Sequence, residues 1–304
     1  MSLHVNKIGS FTGHNGSVYT LENGVSGMTF FSGSSDKFAV LWNLEKMEQE
    51  HFAAKFPAII YALCHIPEKN LLLAGTSAGS VHVLDLVNRV ELKELKHHDS
   101  PIFDIKYCIE TNCFFTTGGD GKFAVCSLEG LSMLRIKKLC DEKVRSMDIN
   151  PGRSEIAIAC GDCSIRLFDL RTLEEKHSFT ANRLSANIAR YSPDGSLILT
   201  GGRDAHLNIW DAKSYSLIKS IPAHNFAIYD IVFSPDGKMF ATASRDKTLK
   251  IWDAETFEML VRISKENYDG HLNSVNKLFW SGYRDYLIST GDDRTIMVWD
   301  IKQS

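Results

Sequence analysis

Histidine, hydroxyl and aspartate side chains recur together along this 304-residue chain, and such trios can relay protons. His14, Ser32 and Asp36 form one set, His224, Thr242 and Asp246 a second, and His271, Ser289 and Asp293 a third. In a hydrolase a histidine takes the proton of a serine nucleophile while a carboxylate orients the ring. Catalysis needs that constellation once. Here it returns at a fixed interval, each time with a tryptophan (Trp42, Trp252, Trp299) ten residues beyond the hydroxyl. Periodic recurrence points to a structural role, and no catalytic residue is expected. A second candidate is Cys160-Gly-Asp-Cys163, a spacing used in redox and metal sites. It reads as a tight turn around Asp162. A zinc site needs two more ligands and none is spaced convincingly, although Cys140 belongs to the same repeat. The expectation is small residues filling a turn, with no metal. Gly118-Gly119-Asp120-Gly121 and Gly201-Gly202-Arg203-Asp204 read as hairpin turns needing positive φ, because they do not open helices and so cannot cradle phosphates. No Walker-type, HExxH or GxSxG motif occurs, and no acid–base cluster stands outside the repeated positions. Neither an enzyme nor a cofactor is expected.

The elements that position these groups follow from the repeat itself. Stepping by 42 residues from Trp42 lands on Leu84, Cys126, Phe168, Trp210 and Trp252, and a final step of 47 reaches Trp299. Asp follows the Trp place at Asp85, Asp169, Asp211, Asp253 and Asp300. Two further markers run in phase. Gly13-His14 precedes Trp42 by 28 residues, and His98, His224 and His271 keep that offset, with Phe56, Cys140 and Asn182 elsewhere. An aspartate lies six residues before the Trp place in every repeat but the second, which has Ala78. Within a repeat, IYDIVF–SPDG–MFATAS–RDK–TLKIW alternates β-branched and aromatic runs with turn residues, the signature of a four-stranded meander. Seven such repeats fill residues 1–304 as a single all-β domain.

Composition sets outer bounds. The chain is 44% hydrophobic and 23% charged, with a net charge of −3, so it lacks the basic excess of nucleic-acid binders. No apolar run reaches the 18 residues of a membrane span, and the start shows no secretory pattern. Seven scattered cysteines do not read as a disulfide framework, and a cytoplasmic protein with reduced thiols is expected.

The phased Gly-His and Trp-Asp markers resemble the WD40-repeat family over essentially the whole chain. The resemblance implies a seven-bladed β-propeller with four antiparallel strands per blade. It also implies that residues 4–11 supply the outer strand of the last blade. Within a blade it implies a hydrogen-bonded tetrad of His, Ser or Thr, Asp and Trp. The complete sets are His14, Ser32, Asp36, Trp42; His224, Thr242, Asp246, Trp252; and His271, Ser289, Asp293, Trp299. The second repeat replaces all four by Phe56, Ala74, Ala78 and Leu84, and the fourth keeps only Asp162 among Cys140, Ile158 and Phe168. Such wholesale loss fits the cost of a half-satisfied buried network. Asp162 is expected to bond turn amides instead.

Propellers of this kind use the face carrying the His and Asp turns, which implies partner contacts at three places per repeat. Five residues after the His place stand Tyr19, Tyr61, Phe103, Arg145, Asn187, Tyr229 and Asn276; three after it stands Lys143; just before the turn Asp stand Arg203, Arg245 and Asp292. Aromatic and arginine side chains at such a rim suit an interaction hot spot. The expected partner is a protein or peptide with an apolar or aromatic anchor and an acidic or phosphorylated group. The alternative is that these aromatics fill gaps between strands. Apolar residues four, seven and nine after the His place, as in Ile228, Ile231 and Phe233, differ in parity, which predicts a one-residue bulge between them. Five extra residues near Lys265–Tyr268 lengthen the loop before Gly270-His271 on the same face. The expected function is a non-catalytic protein-interaction scaffold, monomeric within a larger complex. An enzyme at the channel mouth, or an RNA-associated propeller using Arg145, Arg203 and Arg245, are the alternatives.

Overall fold

A computed structural model describes residues 3–303. Its strands fall into seven four-stranded antiparallel sheets, the arrangement of a seven-bladed β-propeller. Blades one to six occupy residues 18–55, 60–96, 102–138, 144–180, 186–222 and 228–263, each a simple meander. Blade seven combines Val275–Trp280, Leu287–Gly291 and Ile296–Gln303 with the N-terminal strand Leu3–Phe11. That strand pairs antiparallel with the last one from Leu3↔Gln303 to Phe11↔Ile296, as expected for residues 4–11. It covers what would otherwise be an open sheet edge. The chain divides into two compact units, one of residues 61–228 and the other of the remaining described residues.

Strand formation follows local chemistry. Second strands such as Met239–Ser244 are buried along their length, whereas fourth strands such as Glu48–Lys55 alternate or face solvent. Between third and fourth strands, the residue after the Trp place caps a turn with its side chain. Asp253 Oδ1 accepts from the amides of Glu255 (2.9 Å) and Thr256 (2.8 Å), and Asn43 Oδ1 serves Glu45 and Lys46 in the same way. The core lies between facing sheets. In the 61–228 unit, Ala157, Ala159 and Leu167 of blade four pack on Ala186, Ile198 and Trp210 of blade five. In the other unit, Met239 and Ile251 of blade six pack on Leu287 and Trp299 of blade seven.

Of the glycines in the two glycine-rich turns, Gly121 takes the positive φ expected and the others do not. The left-handed position is the residue after the turn Asp, or after Ala78 in blade two: Lys37, Gly79, Gly121, Cys163, Ala205, Lys247 and Arg294 have φ between 62° and 81°. Gly118, Gly201 and Gly202 serve another purpose, which is space. A Cβ on Gly118 would lie 2.6 Å from His98 Nδ1, one on Gly201 2.7 Å from Ile228 Cγ2, and one on Gly202 2.4 Å from the Ser185 carbonyl oxygen.

The extra segment in the seventh repeat is a helical turn, Lys265–Tyr268, not an irregular loop. Ser264 and Asn267 cap it, and Asp269 ends it in the left-handed region. Asp269 pairs with Lys265 and with Lys7 (2.8 Å), so the insertion clamps the N-terminal strand.

Candidate functional site

The tetrads form as chains of one direction. In blade seven, Trp299 Nε1–H donates to Ser289 Oγ (2.9 Å), Ser289 Oγ–H donates to His271 Nε2 (2.8 Å), and His271 Nδ1–H donates to Asp293 (2.9 Å). An indole only donates and a carboxylate only accepts, which fixes the histidine tautomer between them. Blade one repeats this, with Trp42 to Ser32 at 2.7 Å, Ser32 to His14 at 2.7 Å and His14 to Asp36 at 2.8 Å. The aspartate also takes an amide from the His loop and one from its own turn: Asn15 and Phe38 for Asp36, Leu272 and Thr295 for Asp293. Burial pushes the Asp36 and Asp293 carboxyls up, but the histidine bonds and these amides outweigh it and hold both below the usual range. In blade six Trp252 Nε1–H donates to Thr242 (3.0 Å), with His224 7% exposed.

Blade three shows a substitution hidden from the repeat pattern. Cys126 occupies the Trp place, yet Thr116 Oγ1 still has two nitrogen neighbours, His98 Nε2 at 2.9 Å and His97 Nε2 at 2.8 Å. His98 Nδ1–H is committed to Asp120 (2.9 Å) and His97 Nδ1–H donates to the Leu95 carbonyl (3.1 Å), so each neutral ring turns an accepting Nε2 to Thr116, whose hydroxyl has two imidazole acceptors in place of one acceptor and an indole donor. In blade five, Trp210 keeps its bond to Thr200 (3.1 Å) and Asn182 donates to Asp204 (3.1 Å), but Asn182 Oδ1 is buried without a partner. Asp162 in blade four accepts from the Ser164 amide (3.1 Å) and also from Arg166 (3.1 Å).

The expected bulges fall five residues after the His place, where partner contacts are expected. Register slips between Val18 and Thr20, Ile102 and Asp104, Val144 and Ser146, Ala186 and Ile188, and Val275 and Lys277. The skipped residues are Tyr19, Phe103, Arg145, Asn187 and Asn276, all five positions after the His place. A bulge releases a side chain from the pleat and re-aims it.

In the 61–228 unit Phe103 and Arg145 touch each other, and Phe103 also touches Tyr61, which stands at the same place in blade two. The Tyr61 and Phe103 rings meet edge to face with centroids 5.5 Å apart, and the Arg145 guanidinium lies 4.9 Å from the Phe103 centroid. All three are half-buried, and Lys143 is exposed two residues before Arg145. The two asparagines behave otherwise. Asn187 is 7% exposed and donates to the Ile228 carbonyl (3.0 Å), and Asn276 donates to the Val18 carbonyl (3.2 Å) and to Asp292 (2.8 Å). Arg203 is exposed on the first unit; on the second, Tyr19 and Tyr229 are half-buried and Arg245 is exposed.

Contrary to expectation, one acid–base cluster does stand outside the repeated positions. Glu155, fully buried, accepts from Tyr191 (2.7 Å), Tyr215 (3.0 Å) and Lys176 (2.7 Å). Burial and the carboxylate's charge raise both phenols, Tyr215 to about 12. Each phenol is kept protonated as a donor, and the two tie blade four to blade five, while Lys176 holds Glu155 from within blade four. A second group joins first strands: Asp104 accepts from the Met147 amide (2.8 Å), Asp148 from the Tyr191 amide (2.9 Å), and Asp230 from the Leu278 amide (3.0 Å) and Lys277 (3.1 Å). Sequence reading missed both groups, since their members lie far apart along the chain.

The family model described as "WD domain, G-beta repeat" matches residues 5–43, 135–169, 173–211, 215–253 and 263–300, well over half of the chain. The chain belongs to the WD40 family. It is similar to mitotic checkpoint protein bub3 of Dictyostelium discoideum, 25% identical over 50% of this chain and 47% of that protein. It is also similar to WD repeat-containing protein 3 of Mus musculus, 25% identical over 53% of this chain and 18% of that protein. A third relative is the DNA damage-binding protein CMR1 of Scheffersomyces stipitis, 29% identical over 40% of this chain and 26% of that protein. Each match therefore spans less than half of the relative's length. No helix among the described residues is long and apolar enough to cross a membrane.

Proposed function

We propose that this chain is a non-catalytic docking module for another protein, with its main contact at Tyr61, Phe103 and Arg145 and with Lys143 beside them. The observation that carries the reading is the contiguous edge-to-face and cation–π contact of three side chains from three successive blades, two of them at mapped bulges. The set offers an aromatic platform ending in fixed positive charge, and it suits a peptide with an apolar anchor followed by a carboxylate or phosphate. Tyr19, Tyr229, Arg203 and Arg245 are further contact candidates. Asn187, Asn276 and Asp292 contribute less in this reading, because their polar atoms serve the fold. Seven free cysteines fit a reducing, cytoplasmic setting. Membership of the WD40 family supports a scaffold, although a fold by itself does not fix a function.

The test is affinity purification with the intact chain and a Tyr61→Ala/Phe103→Ala/Arg145→Ala variant whose melting temperature is checked. Loss of a hot spot costs about 2 kcal/mol or more, roughly 30-fold in affinity, so partners of this surface disappear from the variant sample. Retention of every partner sinks the proposal. The CMR1 relative's name motivates a second reading, nucleic-acid contact through the same arginines. Binding to DNA or RNA that weakens steeply with salt supports that reading over a peptide.

A further inference from the structure

Blade four carries a dithiol where other blades carry an imidazole. Cys140 stands at the His place, and Cys160 stands twenty residues on, where blades three, five and seven have Gly118, Gly202 and Gly291. The direction of that second place is known from the glycines. A Cβ added to Gly118 would point at His98 Nδ1 (2.6 Å), one on Gly291 at His271 Nδ1 (3.1 Å), and one on Gly202 at Asn182 Cγ (3.2 Å). A side chain at residue 160 therefore projects at residue 140, and two thiols share the space of one ring. Their sulfurs and an Asp162 carboxylate oxygen lie within 4.8 Å of one another. The sequence had singled out Cys160 with Cys163, but among the described residues Cys163 is not part of this group.

The environments of the two sulfurs differ. Cys160 is fully buried, and Cys140 is half-exposed, within reach of small solutes. The neighbouring Cys160 thiol draws the Cys140 thiol down to about 6, against its burial and the charge of Asp162, with help from backbone amides at Glu142 and Asp162; while protonated, Cys140 donates to the Glu142 carbonyl (3.2 Å). A thiolate in that setting is the nucleophilic partner of the pair. A metal ion fits the group poorly. One Asp162 oxygen already takes the Ser164 amide (3.1 Å) and hydroxyl (2.5 Å), and the other takes the Arg166 guanidinium (3.1 Å), so only two sulfurs are left for a cation.

We propose that Cys140 and Cys160 are a redox site that closes to a reversible disulfide on exposure to hydrogen peroxide. The Cys140 sulfur attacks one peroxide oxygen, the O–O bond breaks, and water leaves a sulfenic acid on Cys140. The Cys160 sulfur then attacks that sulfur, the S–O bond breaks, and a second water departs. Two thiols are oxidised and one peroxide is reduced to two waters. A small thiol reductant reverses the step by exchange. The new bond joins the loop before the first strand to the end of the second strand, beside the turn whose Asp meets that loop's His in blades one, three and seven.

The experiment treats the intact chain with hydrogen peroxide, alkylates it under denaturing conditions and maps tryptic peptides by mass spectrometry. Of seven free cysteines, two are expected to escape alkylation, the chain to lose two hydrogens, and peptide 139–143 to be found bonded to peptide 154–166. Peptide 154–166 holds both Cys160 and Cys163, so the mapping is repeated on Cys163→Ser, where the cross-link persists, and on Cys140→Ser, where it vanishes. Dithiothreitol restores both thiols. The proposal is overturned by a cross-link through Cys163, by oxidation of Cys140 beyond the sulfenic acid with Cys160 still alkylated, or by full alkylation after peroxide. Stoichiometric zinc that survives dialysis and protects both thiols also overturns it, in favour of a metal site. The mapping on the unmutated chain decides the question even if a variant fails to fold.

Discussion

Blades seven and four share one backbone plan and solve its centre in opposite ways. In blade seven a polar chain runs from Trp299 through Ser289 and His271 to Asp293, with every link between 2.8 and 2.9 Å. In blade four the same places hold Phe168, Ile158 and Cys140, and Asp162 turns to Ser164 and Arg166. Phe168 and Ile158 are fully buried, so the apolar solution is as well packed as the polar one. The lesson is that the network holds the blade only as a unit. Where Trp is lost in blade three, His97 takes up the second contact of the Thr116 hydroxyl while its Nδ1–H donates to the Leu95 carbonyl. Blade five is the exception that has been left incomplete: Asn182 reaches Asp204 but leaves its carbonyl oxygen without a partner.

The largest effect that would break this contrast is at Trp299. Trp299→Ala empties a fully buried site and strips Ser289 of its donor, and should cost about 3–5 kcal/mol in denaturant unfolding. A loss under about 1 kcal/mol would mean that the chain of bonds and its packing are incidental. Next is the mirror-image change in blade four. Ile158→Thr places a hydroxyl at the Ser/Thr site with neither His nor Trp to bond it, and should destabilise by about 1–3 kcal/mol. A stabilised protein would show that blade four tolerates a partial network. A smaller change, of opposite sign, is expected in blade five. Gly202 leaves room beside Asn182 as Gly118 and Gly291 do beside their histidines. Asn182→His should therefore complete the chain from Trp210 to Asp204 and stabilise by about 1 kcal/mol, read as a higher urea midpoint with an unchanged slope.

The fold was legible because its markers are local and repeat in phase, and the bulges were legible because parity along one strand is a property of that strand. Other features depend on which strands meet. Glu155 is joined by Lys176, Tyr191 and Tyr215 from separate elements, and nothing in their spacing announces the cluster. His97 was overlooked because the pattern marks the residue after it. The short Cys160–Cys163 spacing drew notice, while the partner that the sheet geometry brings to Cys160 is Cys140. The rim was half legible. Residue type separated the stacking side chains Tyr61, Phe103 and Arg145 from asparagines, but only the fold shows that Asn187 and Asn276 spend their amides on the carbonyls of Ile228 and Val18.

The smallest effect at neutral pH, and the sharpest probe of blade three, is the pH dependence contributed by His97. Burial, with the neighbouring His98 adding to it, lowers its pKa from 6.5 to about 4, so the folded chain keeps the ring neutral where an unfolded chain would protonate it. Stability from this group is complete above about 6.5 and is lost as pH falls toward about 4, because the unfolded state binds the extra proton in that window. His98 is lowered as well, mainly by burial, and acts in the same direction. Asp120 is held below its ordinary 3.8 and contributes only in more acid solution. His97→Gln keeps a polar group beside Thr116 but removes one of the two titrating rings. Its melting temperature should differ little from that of the parent at pH 7.5 and should fall less steeply between about pH 6.5 and 4.5. Equal slopes for the two proteins would mean that the His97 ring is protonated as readily in the folded chain as in the unfolded one, and would break the argument that its burial beside Thr116 and His98 keeps it neutral.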